Sequence, residues 1–227
     1  MKRAIIGVLG GMGPVATTHY MARVQALTPA TRDQDHLHLI VDCNPHVPGF
    51  VAETRDSGPA PETVLADMAR RLEAMGAELL VMPCNTAHAY VGAITAATSL
   101  PLLNLIEAVA DAAFADGART VGVLAADPCL AAGLYQEAFA RRGVEVVLPK
   151  AAEQASLMNL IHAIKAGSLG ASTRRGMAEL AEDLIARGAD LIVAGCTEVP
   201  LVLSPNDIAV PLADSIEILA ARTVATA

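Results

Sequence analysis

Two cysteines, Cys84 and Cys196, occupy matching places in two copies of one sequence unit. The stretch Gly76-Ala77-Glu78-Leu79-Leu80-Val81-Met82-Pro83-Cys84-Asn85-Thr86 returns as Gly188-Ala189-Asp190-Leu191-Ile192-Val193-Ala194-Gly195-Cys196-Thr197-Glu198. Each copy reads as a helix end, a Gly-Ala-acidic turn, a short apolar strand and then a cysteine among polar residues. A thiolate is a competent base and a thiol a competent acid. Duplicated α/β units tend to pack face to face, with the loops beyond their strand ends lining a cleft. Two thiols on opposite walls of such a cleft fit one chemistry, in which one removes a proton from carbon and the other returns a proton from the opposite side. The expected activity is cofactor-independent racemisation or epimerisation.

The competing reading is that both cysteines are small buried hydrophobes, since free cysteine is among the most buried residue types. Their placement argues otherwise. Each stands where a strand ends and a helix is expected to begin, which is where ligand sites collect in open α/β sheets and where a helix N-terminus lowers a thiol pKa. Asn85, Thr86 and Thr197, directly after the cysteines, have the chemistry of helix caps and equally of contacts to a substrate carboxylate. Gly11, Gly13 and Ala16 match a dinucleotide-binding G-x-G-x-x-A turn, and Asp42 ends the next strand, so a nicotinamide-dependent oxidoreductase is a competing expectation. A non-catalytic amino-acid-binding module is another. The duplicated lobe leaves no room for a separate substrate domain, so the glycines are read instead as a tight turn that admits a small ligand to the backbone. His88, four residues after Cys84, reads either as a first-turn or surface histidine or as a residue that tunes Cys84. Cys43 and Cys129 have no matched partners in the repeat and are read as packing residues. No C-x-x-C or H-x-x-x-H spacing provides for a metal.

The elements that must position these residues follow from hydrophobic patterning. Short continuous apolar segments at 4–9, 37–42, 79–82, 102–105, 120–125, 145–148, 191–194 and 210–212 read as strands buried on both faces of parallel sheets. Helical patterns at 63–75, 130–142 and 173–187 alternate with them, the last ending at Gly188. The fold class is therefore α/β, with two pseudo-symmetric lobes, each a mostly parallel sheet flanked by helices, and the active site in the cleft between them. Lobe one is expected to comprise residues 1–100 plus 210–227 and carry Cys84; lobe two, residues 101–209, carries Cys196. Ser57-Gly58-Pro59-Ala60-Pro61 reads as a loop of the kind that closes over a site. A net charge of −8 and the lack of any basic cluster argue against a nucleic-acid partner. No apolar run approaches the ~18–20 residues of a membrane helix. The start of the chain lacks a cleavage pattern and the cysteines are scattered, so a cytoplasmic protein with reduced thiols is expected.

With the turn Gly10-Gly11-Met12-Gly13-Pro14-Val15-Ala16-Thr17, Pro83-Cys84-Asn85-Thr86-Ala87-His88 and Gly195-Cys196-Thr197-Glu198 together, the chain resembles the aspartate/glutamate racemase superfamily over essentially its whole length. Within it the chain looks most like the aspartate racemase branch. The resemblance implies an amino-acid carboxylate as substrate, no pyridoxal phosphate, no metal and commonly a homodimer, with hydantoin racemases among the sister activities. It implies that Cys84 and Cys196 are the catalytic acid/bases. Met12, Asn85, Thr86, Ala87 and Thr197 would meet the substrate, and Lys165 matches a family lysine that approaches a substrate carboxylate. One departure matters. In the loop after the second strand, aspartate racemases typically carry Asp-Arg-Thr; here Gly49-Phe50-Val51 stands in its place, so Phe50 lines the site without the bidentate pair that arginine offers a carboxylate.

Overall fold

The computed structural model describes residues 3–49 and 59–227. The apolar segments form two four-stranded sheets, every pairing parallel. In the first, β1 (Ile6–Gly10) lies between β2 (Leu39–Cys43) and β3 (Leu79–Val81), with β4 (Leu102–Leu103) beyond β3. Ile6 stands in register with both Leu39 and Leu79. The central strands β1 and β3 are buried at every residue, which is why they read as unbroken apolar runs rather than alternating ones. Helices α1 (Pro14–Leu27), α2 (Pro61–Ala74) and α3 (Val91–Ala97) complete this layer. α1 and α2 begin on proline, whose missing N–H costs nothing in a first turn. α2 presents Leu65, Met68, Ala69 and Leu72 at helical spacing to a core shared with Leu80, Met82 and Ile94.

The second sheet repeats the plan. β5 (Thr120–Leu124) lies between β6 (Glu145–Val147) and β7 (Leu191–Ala194), with β8 (Leu212–Asp214) beyond β7. Its helices are α4 (Leu105–Ala115), α5 (Asp127–Ala131), α6 (Leu134–Ala140), α7 (Ala151–Lys165) and α8 (Ala171–Ala186), and α9 (Ser215–Thr226) starts in it. α8 buries Met177, Leu180, Ala181 and Leu184 against Leu157, Ile161 and Ile164 of α7. A glycine in each central strand repeats as well. A Cβ on Gly7 would lie 2.8 Å from Ala77 and Leu80 and 3.2 Å from Leu72; one on Gly122 would lie 2.7 Å from Ile192 and 2.9 Å from Leu184. The covering helix thus approaches the strand more closely than any side chain there would permit.

Two expectations are corrected. The helix expected over 130–142 is two helices, α5 and α6, separated at Gly133, which adopts a left-handed conformation (φ 68°). The lobe boundaries also differ from 1–100 plus 210–227 and 101–209. The chain divides into Met1–Leu105 with Leu219–Ala227, and Ile106–Ile218. β8 pairs with β7, so residues 210–218 stay in the second unit as its fourth strand and the start of α9, just as β4 ends the first sheet. The return to the first unit happens inside α9. There Thr223 Oγ1 and the Tyr20 hydroxyl are 2.8 Å apart and Ala4 N–H donates to the Ala227 carbonyl at 3.1 Å. Among the described residues, no helix is long and apolar enough to cross a membrane.

Candidate active site

The chain order of each sheet fixes where its functional loops fall. From β1 the chain passes to β2 on one side and later to β3 on the other. The loops leaving the C-terminal ends of β1 and β3 therefore diverge and leave a crevice between them. In the second sheet the same switch lies between β5 and β7. Cys84 follows β3 and Cys196 follows β7, so each cysteine sits at the switch point of its own sheet.

In the first unit Met82 and Pro83 lead from β3 into Cys84, which is buried. Its N–H donates to the Met82 carbonyl at 2.8 Å. Asn85, Thr86, Ala87 and His88 follow, all buried, and Thr86–Tyr90 forms a 3₁₀ turn. Asn85 stands before that turn in helical conformation without a side-chain capping bond. Met12, half-buried in the β1–α1 loop, packs on the cluster that contains Cys84 and Ala87. Met12, Cys84, Asn85, Thr86 and Ala87 thus belong to one unit and one sheet end. Phe50, and Ser57 and Gly58 of the expected loop, lie outside the described residues.

His88 is not a surface histidine. Only 5% of it is exposed; Leu105 N–H donates to its Nε2 at 3.0 Å, and its Nδ1 lies 2.8 Å from the Cys84 carbonyl oxygen. Burial pushes its pKa down to about 4, so it is uncharged at neutral pH.

In the second unit Gly195 leads from β7 into Cys196, Thr197 and Glu198, and the last three are all buried. The Cys196 thiol donates to Glu198 Oε2 at 3.0 Å, and Thr197 Oγ1 donates to the same oxygen at 3.2 Å. Lys165, at the end of α7, brings Nζ to 3.9 Å from the other carboxylate oxygen. Burial first, and then the Glu198 carboxylate as charge and hydrogen-bond acceptor, push the Cys196 thiol well above its ordinary value; Lys165 pulls it the other way. The expectation that a helix N-terminus depresses the thiol pKa fails at Cys196, which is followed by a short 3₁₀ turn rather than a long helix. At Cys196 the arrangement favours a retained proton.

Glu198 is the residue that sequence reasoning missed as a site residue. The signal was present in the repeat, whose first copy carries Thr86 where the second carries Glu198. Tyr135 was missed too. It is fully buried, and its ring carbon Cε2 lies 2.8 Å from where a Cβ on Gly195 would sit. Burial and then the nearby Cys129 and Cys196 thiols push its hydroxyl well above its usual range. Cys129 is buried as expected of a packing residue, whereas Cys43 is exposed.

The dinucleotide reading loses its two supports. Asp42, the residue needed for a ribose, accepts hydrogen bonds from Arg71 Nε at 3.1 Å and Nη2 at 2.6 Å. Gly11 (φ 97°) is approached by the backbone of Asn44, which a Cβ would meet at 2.4 Å. The turn is tight where the β1–α1 and β2 loops meet.

The chain is an α/β protein with a cysteine at the switch point of each of two duplicated parallel sheets, and comparison gives its family. Residues 9–223 match the Asp/Glu/hydantoin racemase family. A broad specificity amino-acid racemase of Bacillus subtilis (strain 168), RacX, is 31% identical over 226 residues, 98% of this chain and 97% of that one. The Picrophilus torridus aspartate racemase superposes with a TM-score of 0.83 at 27% identity, covering 98% of this chain and 93% of that one. An aspartate racemase homologue from Pyrococcus horikoshii OT3 superposes with a TM-score of 0.81 at 25% identity, covering 99% and 98%. The chain belongs to the Asp/Glu/hydantoin racemase family, and is by that membership an isomerase.

Proposed function

We propose that the protein inverts an amino acid at its α-carbon without a cofactor, using Cys84 of one unit and Cys196 of the other as its acid/bases. The observation that carries this reading is the matched placement of one buried cysteine at the switch point of each sheet. A symmetric reaction needs one proton-transfer group on each face of a planar carbanion.

The surroundings of Cys196 set the resting state. Its proton is held by burial and by the Glu198 carboxylate, so Cys196 waits as the acid. The enantiomer whose α-hydrogen faces Cys84 gives up its proton there as Cys196 delivers one to the opposite face. In the reverse direction Cys196 must be the thiolate and Cys84 the thiol: the Cys196 S–H bond breaks as an O–H bond forms on Glu198 Oε2, and the Cys84 thiolate takes a proton from solvent. Enolate charge that develops on the substrate carboxylate is met by Asn85, Thr86, Thr197 and adjacent amides, with Lys165 near the Cys196 side. Met12 and Ala87 shape the apolar floor near Cys84.

For the side chain of the substrate, Phe50 in place of a carboxylate-binding arginine favours neutral over acidic amino acids. A site built to pair a charge loses far more on mismatch than an apolar one. The broad specificity named for the Bacillus subtilis relative agrees with an apolar wall of this kind.

The test is incubation with a panel of amino acids of both configurations in heavy water, followed by NMR at the α-position and chiral chromatography. Racemisation of one or more free amino acids is expected. Turnover of a hydantoin alone would move the reading to the sister activity, and no α-exchange with any substrate would refute it.

A further inference from the structure

We propose that His88 is a positioning residue for Cys84: as a neutral imidazole it fixes the backbone of the cysteine and ties it to the first turn of α4. The inference rests on the reading of Cys84 as an acid/base.

Hydrogen-bond chemistry determines the tautomer. A backbone N–H can only donate, so the 3.0 Å contact from Leu105 N requires a lone pair on His88 Nε2. The ring proton is therefore on Nδ1, where it donates to the Cys84 carbonyl at 2.8 Å. Both bonds are buried, and the depressed pKa of the ring keeps it in the one state that can make both. A charged ring would turn a second N–H toward Leu105 N–H and lose that bond.

The consequence for Cys84 is mechanical. Its N–H is held by the Met82 carbonyl and its carbonyl by His88, while His88 N–H in turn donates to the Asn85 carbonyl at 3.0 Å. With both backbone groups fixed, the thiol keeps little freedom beyond rotation about χ1. The other end of the link is equally specific. Leu105 opens α4, where N–H groups lack partners within the helix, and His88 satisfies one of them. Leu105 is also the last residue of the first unit before the chain passes into the second.

The repeat shows that the device is particular to Cys84. The position matching His88 in the second copy is Pro200, which has no side-chain donor, and Cys196 is held by the carboxylate of Glu198, whose own counterpart is Thr86. The Cys196 carbonyl accepts instead from the Val199 backbone N–H at 3.0 Å, so the side-chain link to a cysteine carbonyl belongs to the first copy.

The test uses the full chain and three variants. In the ¹⁵N-labelled wild type, long-range ¹H–¹⁵N correlation is expected to place the His88 proton on Nδ1, unchanged from about pH 6 to about pH 9. A proton on Nε2 overturns the proposal. His88→Leu removes both bonds and is expected to lower kcat about 100-fold with KM changed less than about threefold. His88→Asn puts an amide donor near the Nδ1 position, and is expected to recover at least about tenfold of that loss. His88→Gln, whose amide reaches the Nε2 position, is expected to recover less than His88→Asn. Equal kcat in His88→Asn and His88→Leu overturns the role.

Alkylation followed by mass spectrometry provides a readout independent of turnover. In His88→Leu, Cys84 is expected to react about tenfold faster than in the wild type while the buried Cys129 keeps its rate. A matching rise at Cys129 marks general loosening of the fold and overturns the positioning role. Should the wild type racemise no amino acid, the functional reading fails, and the tautomer and alkylation results still decide the role of His88.

Discussion

Gly195→Ala tests how tightly Cys196 is placed. The added methyl would lie 2.8 Å from Tyr135 Cε2, 3.0 Å from Ala125 Cβ and 3.2 Å from Val123 Cγ1. Carbon atoms in contact prefer about 3.5–4.0 Å, so all three neighbours must yield by several tenths of an ångström. None has an easy escape. Tyr135 is fully buried and stacked on Phe139 with ring centroids 6.1 Å apart, while Val123 lies within β5 and Ala125 directly follows it. Overpacking of this kind costs about 1–3 kcal/mol. The strain is relieved most readily by displacing residue 195, which carries Cys196 with it. A displacement of about 1 Å from productive geometry costs about 100-fold in rate, so a shift of half that size corresponds to about tenfold in kcat. Urea denaturation and steady-state racemisation measure the two effects, with Gly176→Ala as the control. Gly176 lies within α8 and its added methyl meets only Leu160 at an ordinary 3.4 Å, so that variant should gain about 0.5–1 kcal/mol and keep its activity. A Gly195→Ala protein as stable and active as the wild type would refute the placement of Tyr135 against the Cys196 loop.

Glu198→Gln removes the proton acceptor of Cys196 and should lower kcat/KM at least about 100-fold. The fall should be equal in the two directions, because enantiomers of a free amino acid have equal free energy; near wild-type activity would remove Glu198 from the mechanism. The buried His88 titrates at about 4 in the folded protein against about 6.5 when unfolded, so the unfolded state binds more protons between these values. Its contribution is therefore fully present above about pH 6.5 and is lost as pH falls through about 4, amounting to about 3 kcal/mol. Urea midpoints of the wild type and His88→Asn should diverge at neutral pH and converge in acid, and parallel curves would contradict the assignment. Phe50→Arg should raise kcat/KM for aspartate relative to neutral amino acids, and an unchanged ratio in steady-state assays would remove Phe50 from the substrate pocket.

The strands were legible because burial on both faces writes itself as unbroken apolar sequence, as in Ile6–Gly10 and Leu191–Ala194. The duplication was legible because both copies need the same glycine in the central strand and the same turn before the next. The point of return to the first unit was not, since α9 runs from one unit into the other as an unbroken helix and its sequence carries no mark of the crossing. The break at Gly133 depends on a backbone conformation that a helical pattern on either side conceals. In the site, the two cysteines and their polar followers stood out by position. Glu198 did not, because a glutamate beside a turn ordinarily reads as solvated; its burial and its approach to Lys165, distant in sequence, give it a role. His88 likewise takes its meaning from Leu105, a partner that no local pattern identifies.

The central claim is that two thiols act from opposite faces, and proton bookkeeping in heavy water tests it most directly. With wild-type enzyme and a protiated amino acid, early product should carry deuterium at the α-carbon while unreacted substrate remains protiated, because the accepting thiol and the donating thiol are different groups. Cys84→Ala and Cys196→Ala, both folded, should each abolish racemisation. Deuterium entering substrate as fast as product, or either variant racemising at near the wild-type rate, would contradict the two-thiol mechanism.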